Sequence, residues 1–139
     1  MDKKAALRCM TGAAIMLGCA APGYLFVFPA AAARASDLVA GEQQFKTSCG
    51  VCHTAVEGEP PRQGPNLHSV YGRRAGTLAG FNYSAALKDG GWTWDETTLD
   101  PWIENAQAAH PGTYMNYRQA NPEKRKLVID YLKSLATSN

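Results

Sequence analysis

The stretch Cys49-Gly50-Val51-Cys52-His53 decides how the rest of this 139-residue chain is read. Two of its four cysteines stand three positions apart, and a histidine follows the second at once. Such a pair can be a redox disulfide, but that kind opens a helix after a buried strand. The preceding Ala40-Gly41-Glu42-Gln43-Gln44-Phe45-Lys46 has no strand pattern. A zinc site needs four ligands, and no second pair of this spacing exists. The remaining reading is the attachment signature of a c-type haem. Two thiols about one helical turn apart can each add to one of the two vinyl groups on a porphyrin edge. A histidine directly after the second thiol can turn its imidazole toward the iron. The expectation is one haem c, covalent through Cys49 and Cys52, with His53 on the metal.

Working outward, Leu38, Gly41, Phe45 and Cys49 recur at helical spacing on one face, which predicts a helix from about Asp37 to Ser48. Gly41 in its interior costs about 1 kcal/mol relative to Ala, so its presence suggests close approach of another helix.

Residues 1–35 read as a unit apart. Lys3, Lys4 and Arg8 make a basic start, the 25 residues from Cys9 to Ala33 carry no charge, and Ala33-Arg34-Ala35 offers a small-x-small end. That is the pattern of a cleaved signal peptide, and Pro22 and Gly23 would disturb a long helix. Two alternatives stay open. The uncharged run is long enough to span a bilayer as a retained anchor, and Met16-Leu17-Gly18-Cys19 loosely matches a lipidation site. Each reading exports residues 36–139, the functional domain, to the periplasm, with membrane contact only if residues 9–33 are retained.

Cleavage after Ala35 would remove Lys3, Lys4, Arg8 and Arg34 of 14 basic residues and Asp2 of 12 acidic ones, turning the net charge from +2 to −1. No basic stripe remains to suggest nucleic acid. A domain this small is marginal by itself and gains from a bulky apolar cofactor.

Downstream, Gly58, Pro60, Pro61, Gly64 and Pro65 predict a loop, as do Gly72, Gly76 and Gly80. A short helix is expected over Ser84 to Lys88, ended by Asp89-Gly90-Gly91. A third is expected between Asp95 and Ala106 with Leu99, Trp102 and Ile103 inward. Pro101 fits that helix only near its start. Residues 108–120 read as loop. Asn121-Pro122 then opens a last helix with Leu127, Val128, Tyr131, Leu132 and Leu135 as its buried stripe. No strand alternation is convincing, and the expected class is all-α.

With these motifs placed, the chain resembles the class I cytochromes c, the mitochondrial type and bacterial cytochrome c2 in particular. Gly41, Phe45 and Cys49 precede the haem motif at that family's spacing. Gly64-Pro65-Asn66-Leu67-His68, Tyr71-Gly72-Arg73-Arg74-Ala75-Gly76, Phe81-Asn82-Tyr83-Ser84, Trp92-Thr93-Trp94, Pro111-Gly112-Thr113-Tyr114-Met115 and Tyr131-Leu132-Lys133 follow in order.

The resemblance implies a cytochrome c fold, with first and last helices packed crosswise around one covalent haem and Gly41 and Phe45 facing Tyr131. It implies His53 and Met115 as axial iron ligands, with the Pro65 carbonyl on the other ring nitrogen of His53. It implies Arg73, Tyr83 and Trp94 around a haem propionate, with Arg74 the alternative to Arg73. After signal cleavage Met115 is the one methionine left; His68 and His110 are the rival sixth ligands.

The implied function is a one-electron carrier, not an enzyme, working as a monomer with redox partner proteins of a respiratory or related electron-transport chain. The alternative is a haem subunit of a larger periplasmic dehydrogenase or oxidase complex. Relatives usually carry lysines around the haem edge, where this chain has Ser48, Gln107, Ala108 and Tyr114 at matching positions. Trp102 replaces a common Tyr, and Tyr117 a common Phe.

Overall fold

The computed structural model describes residues 30–136, so the expectations for residues 1–29 lie outside it. Five helices follow in order: α1 (Ala30–Ser48), α2 (Ala85–Lys88), α3 (Glu96–Glu104), α4 (Ala106–Ala109) and α5 (Pro122–Ser134). Among the described residues there is no strand, and two isolated bridges pair Arg74 with Thr93 and Asn105 with Arg118. The class is all-α, as the sequence pattern implies.

Helix α1 begins at Ala30 rather than near Asp37. Its first residues are mostly alanine, the best helix former, and the helix propagates through them. Residues 32–40 are all exposed. Leu38, expected to face inward, is 38% exposed. The buried face starts one turn later, at Gly41 and Phe45, because that is where α5 meets the helix. A Cβ on Gly41 would run into the Leu127 carbonyl oxygen and stand 3.0 Å from the Tyr131 Cβ. Phe45 and Tyr131 pack as tilted rings with centroids 5.4 Å apart. The glycine and the aromatic pair thus form the helix crossing.

Helix α3 opens with a capping box. The Asp95 carboxylate accepts from the Thr98 N–H at 3.0 Å, and the Asp95 N–H donates to Thr98 Oγ1 at 2.8 Å, satisfying two donors that a helix start leaves free. Leu99, Trp102 and Ile103 are buried as expected. Two expectations fail here. Pro101 stands inside the helix, past its first turn. The ring displaces a bond to the Thr97 carbonyl, and both Thr97 and Pro101 are exposed, so water can reach that carbonyl. The helix stops at Glu104, within the span expected for it, because Asn105 is extended (φ −161°, ψ 95°). Asn105 pairs with Arg118 and its side chain accepts from the Ala108 N–H at 3.2 Å, starting α4, whose last two residues, Ala108 and Ala109, were expected to be loop.

Helix α5 starts as its sequence signals: Asn121 accepts from the Lys124 N–H at 3.0 Å, and Pro122 follows. Its buried residues are Arg125, Val128, Ile129 and Leu132, so the expected stripe lacked Ile129 and Arg125, and Leu127 is half-buried. Arg125 can be buried because its fork grips Asp100 of α3 at 2.7 and 3.2 Å and donates to the Gln119 and Ala120 carbonyls at 3.1 and 3.0 Å. Ordered contacts of this kind are what a buried guanidinium requires.

Replacing Gly41 by Ala should destabilise the protein by about 1–3 kcal/mol, the scale of overpacking, although Ala is the better helix former. Denaturant unfolding of the two proteins checks it; equal midpoints would show that α1 and α5 do not meet as closely as drawn.

Candidate functional site

The core residues of α3 and α5 and of the intervening loops surround a cavity of about 570 Å³. Leu67, Val70, Leu87, Leu99, Ile103, Val128 and Leu132 supply an apolar wall. All eight residues singled out from the sequence line it: Cys49, Cys52, His53, Pro65, Arg73, Tyr83, Trp94 and Met115. His68 and His110 are not among its lining residues. Arg74 is exposed and does not line it either.

Cys49, Cys52 and His53 reach the cavity from the turn that ends α1. The Cys49 and Gly50 N–H groups both donate to the Phe45 carbonyl (2.7 and 2.9 Å), and the His53 N–H to the Cys49 carbonyl (2.9 Å). The two thiols are free. Burial pushes the Cys49 thiol up to about 11, with the neighbouring Cys52 thiol adding to the rise, so it stays protonated at neutral pH.

The loop after His53 is built to hold its ring. Asn66, buried, donates to the Val56 and Glu59 carbonyls at 2.8 Å each and accepts from the His68 N–H at 2.7 Å. The Gly64 N–H donates to the Cys52 carbonyl at 2.7 Å and the Leu67 N–H to the Thr54 carbonyl at 2.8 Å. This folds the loop back so that the Pro65 carbonyl lies 2.8 Å from His53 Nδ1. Donation to that carbonyl requires the proton on Nδ1, which leaves Nε2 with a free lone pair. Burial holds the His53 pKa below its ordinary value, with the Pro65 bond opposing. The ring is therefore neutral, as metal ligation requires. Gly64 is needed as glycine: any Cβ there would collide with the imidazole.

Arg73 and Trp94 share the cavity because their backbones pair. The Trp94 N–H donates to the Arg73 carbonyl (2.9 Å), the Gly72 N–H to the Trp94 carbonyl (2.7 Å), and the Ala75 N–H to the Trp92 carbonyl (2.9 Å). The Arg73 guanidinium donates to the His68 and Asn66 carbonyls at 3.2 and 3.1 Å. It is the one charged side chain among the described residues lining the cavity. Burial lowers its pKa, partly offset by Tyr83, and burial raises that of Tyr83.

Sequence reasoning missed Ser84. It is 3% exposed, its hydroxyl has no hydrogen-bond partner, and it lines the same cavity. A buried hydroxyl left without a partner calls for an acceptor or donor on whatever occupies the space. An apolar cavity with two thiols, a free imidazole nitrogen, an unpartnered hydroxyl and one guanidinium fits a haem: a large apolar ring, two vinyl groups, an iron and carboxylate tails.

Comparison with known proteins agrees. The family model described as cytochrome c matches residues 38–136. A cytochrome c of Nigella damascena is 41% identical over 102 residues, covering 73% of this chain and 92% of that protein. A cytochrome c2 of Rhodomicrobium vannielii is 45% identical over 111 residues, covering 79% and 88%. A cytochrome c of Chlamydomonas reinhardtii is 45% identical over 104 residues, covering 74% and 93%.

Gly64→Ala should displace the His53 ring and cost roughly 1–3 kcal/mol of stability, the usual scale of overpacking. The measurement is the unfolding midpoint together with exchange of the His53 ring proton by NMR. A protected ring proton and an unchanged midpoint would refute the packing argument.

Proposed function

Because the chain belongs to the cytochrome c family, we propose that it is an exported one-electron carrier in which His53 and Met115 would be the two side chains that hold the haem iron. That it is a haem electron carrier with one covalent haem c, and not an enzyme, follows from the family. The ligand pair, the partners and the location are our reading. The observation that carries the ligand pair is selective: His53 and Met115 line the cavity, and the rival ligands His68 and His110 do not. His110 instead stacks flat on Trp92, with ring centroids 3.7 Å apart and planes 6° apart.

The haem iron supplies the chemistry, gaining or losing one electron between Fe(III) and Fe(II). The protein's part is to hold and tune it. The Cys49 and Cys52 sulfurs would hold the ring as thioethers, each thiol having added its S–H across one vinyl. His53 offers Nε2, with its ring fixed and made more basic by donation to Pro65. A Met115 thioether favours Fe(II) and raises the potential. Arg73 meets the charge of a propionate, with Tyr83, Trp94 and Ser84 as neutral donors.

The expected destination is the periplasm, from the signal-like pattern of residues 1–35. Helix α1 runs without a break across the Ala35–Ser36 bond. Among the described residues no helix is long and apolar enough to cross a membrane.

Two large apolar side chains stand exposed beside the site. Val51, between the two cysteines, is 78% exposed and Tyr114, next to Met115, is 75% exposed, while Ser48, Gln63, Asn82 and Asn116 are among the lining residues, with Arg62 on the Gly50 carbonyl and Lys88 on Asn82. This supports a partner that docks by apolar and neutral polar contact. It also keeps open the second reading, a haem subunit fixed in a larger complex.

The test of the ligand pair is Met115→Ala. It should abolish the weak near-infrared sulfur-to-iron band, lower the potential and let carbon monoxide bind the ferrous protein. Ready carbon monoxide binding by the unaltered protein would sink the assignment.

Electron exchange with the natural partner should change little between low and physiological salt, because screening acts on charged encounters. Stopped-flow rates against ionic strength give the answer, and a steep fall would mean a charged docking face.

A further inference from the structure

The segment between α4 and the Asn105–Arg118 bridge leaves the fold as a loop and carries Met115. Its base is closed by the Ala106 N–H donating to the Tyr117 carbonyl at 3.2 Å. Within it the Thr113 N–H donates to the His110 carbonyl at 3.2 Å and the Met115 N–H to Thr113 Oγ1 at 3.3 Å. These are long bonds for a segment that must present one side chain in a fixed direction.

Gln107, the second residue of α4, reaches across to this segment. Its side-chain amide nitrogen donates to the Thr113 carbonyl at 2.8 Å and to the Met115 carbonyl at 3.0 Å. A primary amide has two N–H groups, so both bonds can exist together. The two carbonyls flank Tyr114. Thr113 is buried, Tyr114 exposed and Met115 half-buried, and Thr113 and Met115 both line the cavity. Gln107 thus grips the backbone on both sides of the one residue between them. The α4 end of this brace is itself fixed, since Asn105 caps the helix at the Ala108 N–H. The residue lies outside the cavity lining, which is why a search for ligands and propionate donors passes over it.

We propose that Gln107 is a positioning residue for Met115: its amide ties the ligand loop to α4 and so holds the thioether in the cavity against local opening. The proposal rests on the reading of Met115 as the sixth iron ligand. Loops with few internal bonds open at the low end of the local-stability range, and an opened loop would expose the iron to small ligands. Removing the brace should favour that opening without unfolding the domain.

The experiment uses the full haem-loaded chain as wild type, Gln107→Ala and Gln107→Glu. The glutamate keeps the length but offers its carboxylate oxygens to two carbonyl oxygens. Three quantities are read: the near-infrared sulfur-to-iron band against temperature, imidazole binding to the ferric protein, and the global unfolding midpoint in denaturant. Both variants should bind imidazole about tenfold more tightly, the scale set by losing two neutral hydrogen bonds. They should lose the band at a lower temperature, Gln107→Glu at least as early as Gln107→Ala, with little change in the global midpoint. Unchanged imidazole affinity in both variants, with the band present in wild type, overturns the positioning role and leaves the ligand reading standing. A gain in affinity that only tracks an equal loss of global stability also overturns it, since the effect is then general. Absence of the band in wild type, with carbon monoxide already bound readily, overturns the ligand reading and this proposal together.

Discussion

The fold depends on a core whose side chains do not meet one another in the middle. They line a cavity of about 570 Å³, and its occupant is part of the core. At about 24 cal/mol per Å³ of cavity, removing an occupant of that size would cost on the order of 10 kcal/mol, a sum comparable to the entire stability of a typical domain. The open mouth reduces that figure but not its scale. This explains why attachment is covalent. A small domain cannot tolerate loss of the group that completes its interior, and two thioethers remove dissociation as a route to unfolding.

Everything peripheral to the cavity serves to close the chain around it. Helices α1 and α5 bring the two ends of the domain together, and their separation is set by one missing side chain, at Gly41. The cysteine turn hangs directly from the end of α1, so the crossing also fixes where the thiols and His53 emerge. On the far side, the Arg125–Asp100 pair joins α5 to α3 and holds the Gln119–Ala120 backbone that follows the ligand loop. Helix packing and site geometry are therefore one problem here.

Much of this was legible in the sequence wherever the determinant is local. The haem motif and the Asn121-Pro122 helix start sit in short patterns with a direct physical reading, whereas the aromatic partner of Phe45 came from the family resemblance. What was not legible depends on residues distant in sequence or on solvent. Arg125 is buried because Asp100, 25 positions away, supplies its partner. Leu38 fitted the helical stripe, but nothing in the spacing says where α5 ends. Pro101 is tolerated past the first turn because its side of the helix faces water, which periodicity does not report. Ser84 signals itself only through a hydroxyl left unpartnered beside the cavity. The site residues read by resemblance all line one cavity, whereas the network of Asn66 that shapes the loop could not be guessed from an isolated asparagine.

The two sides of the cavity are held by different means, and that bears on function. His53 is adjacent to a cysteine that is itself to be bonded to the ring, its Nδ1 faces Pro65, and Gly64 leaves no slack around it. Met115 lies 62 residues further on, on a loop pinned at its base and braced by a side-chain amide. With Met115 as the proposed ligand, its more lightly held side would set how well the iron is shielded from other ligands. Exposed Val51 and Tyr114 give a partner an apolar edge to approach. Electrons can pass across that edge while the shielded iron stays closed to small molecules.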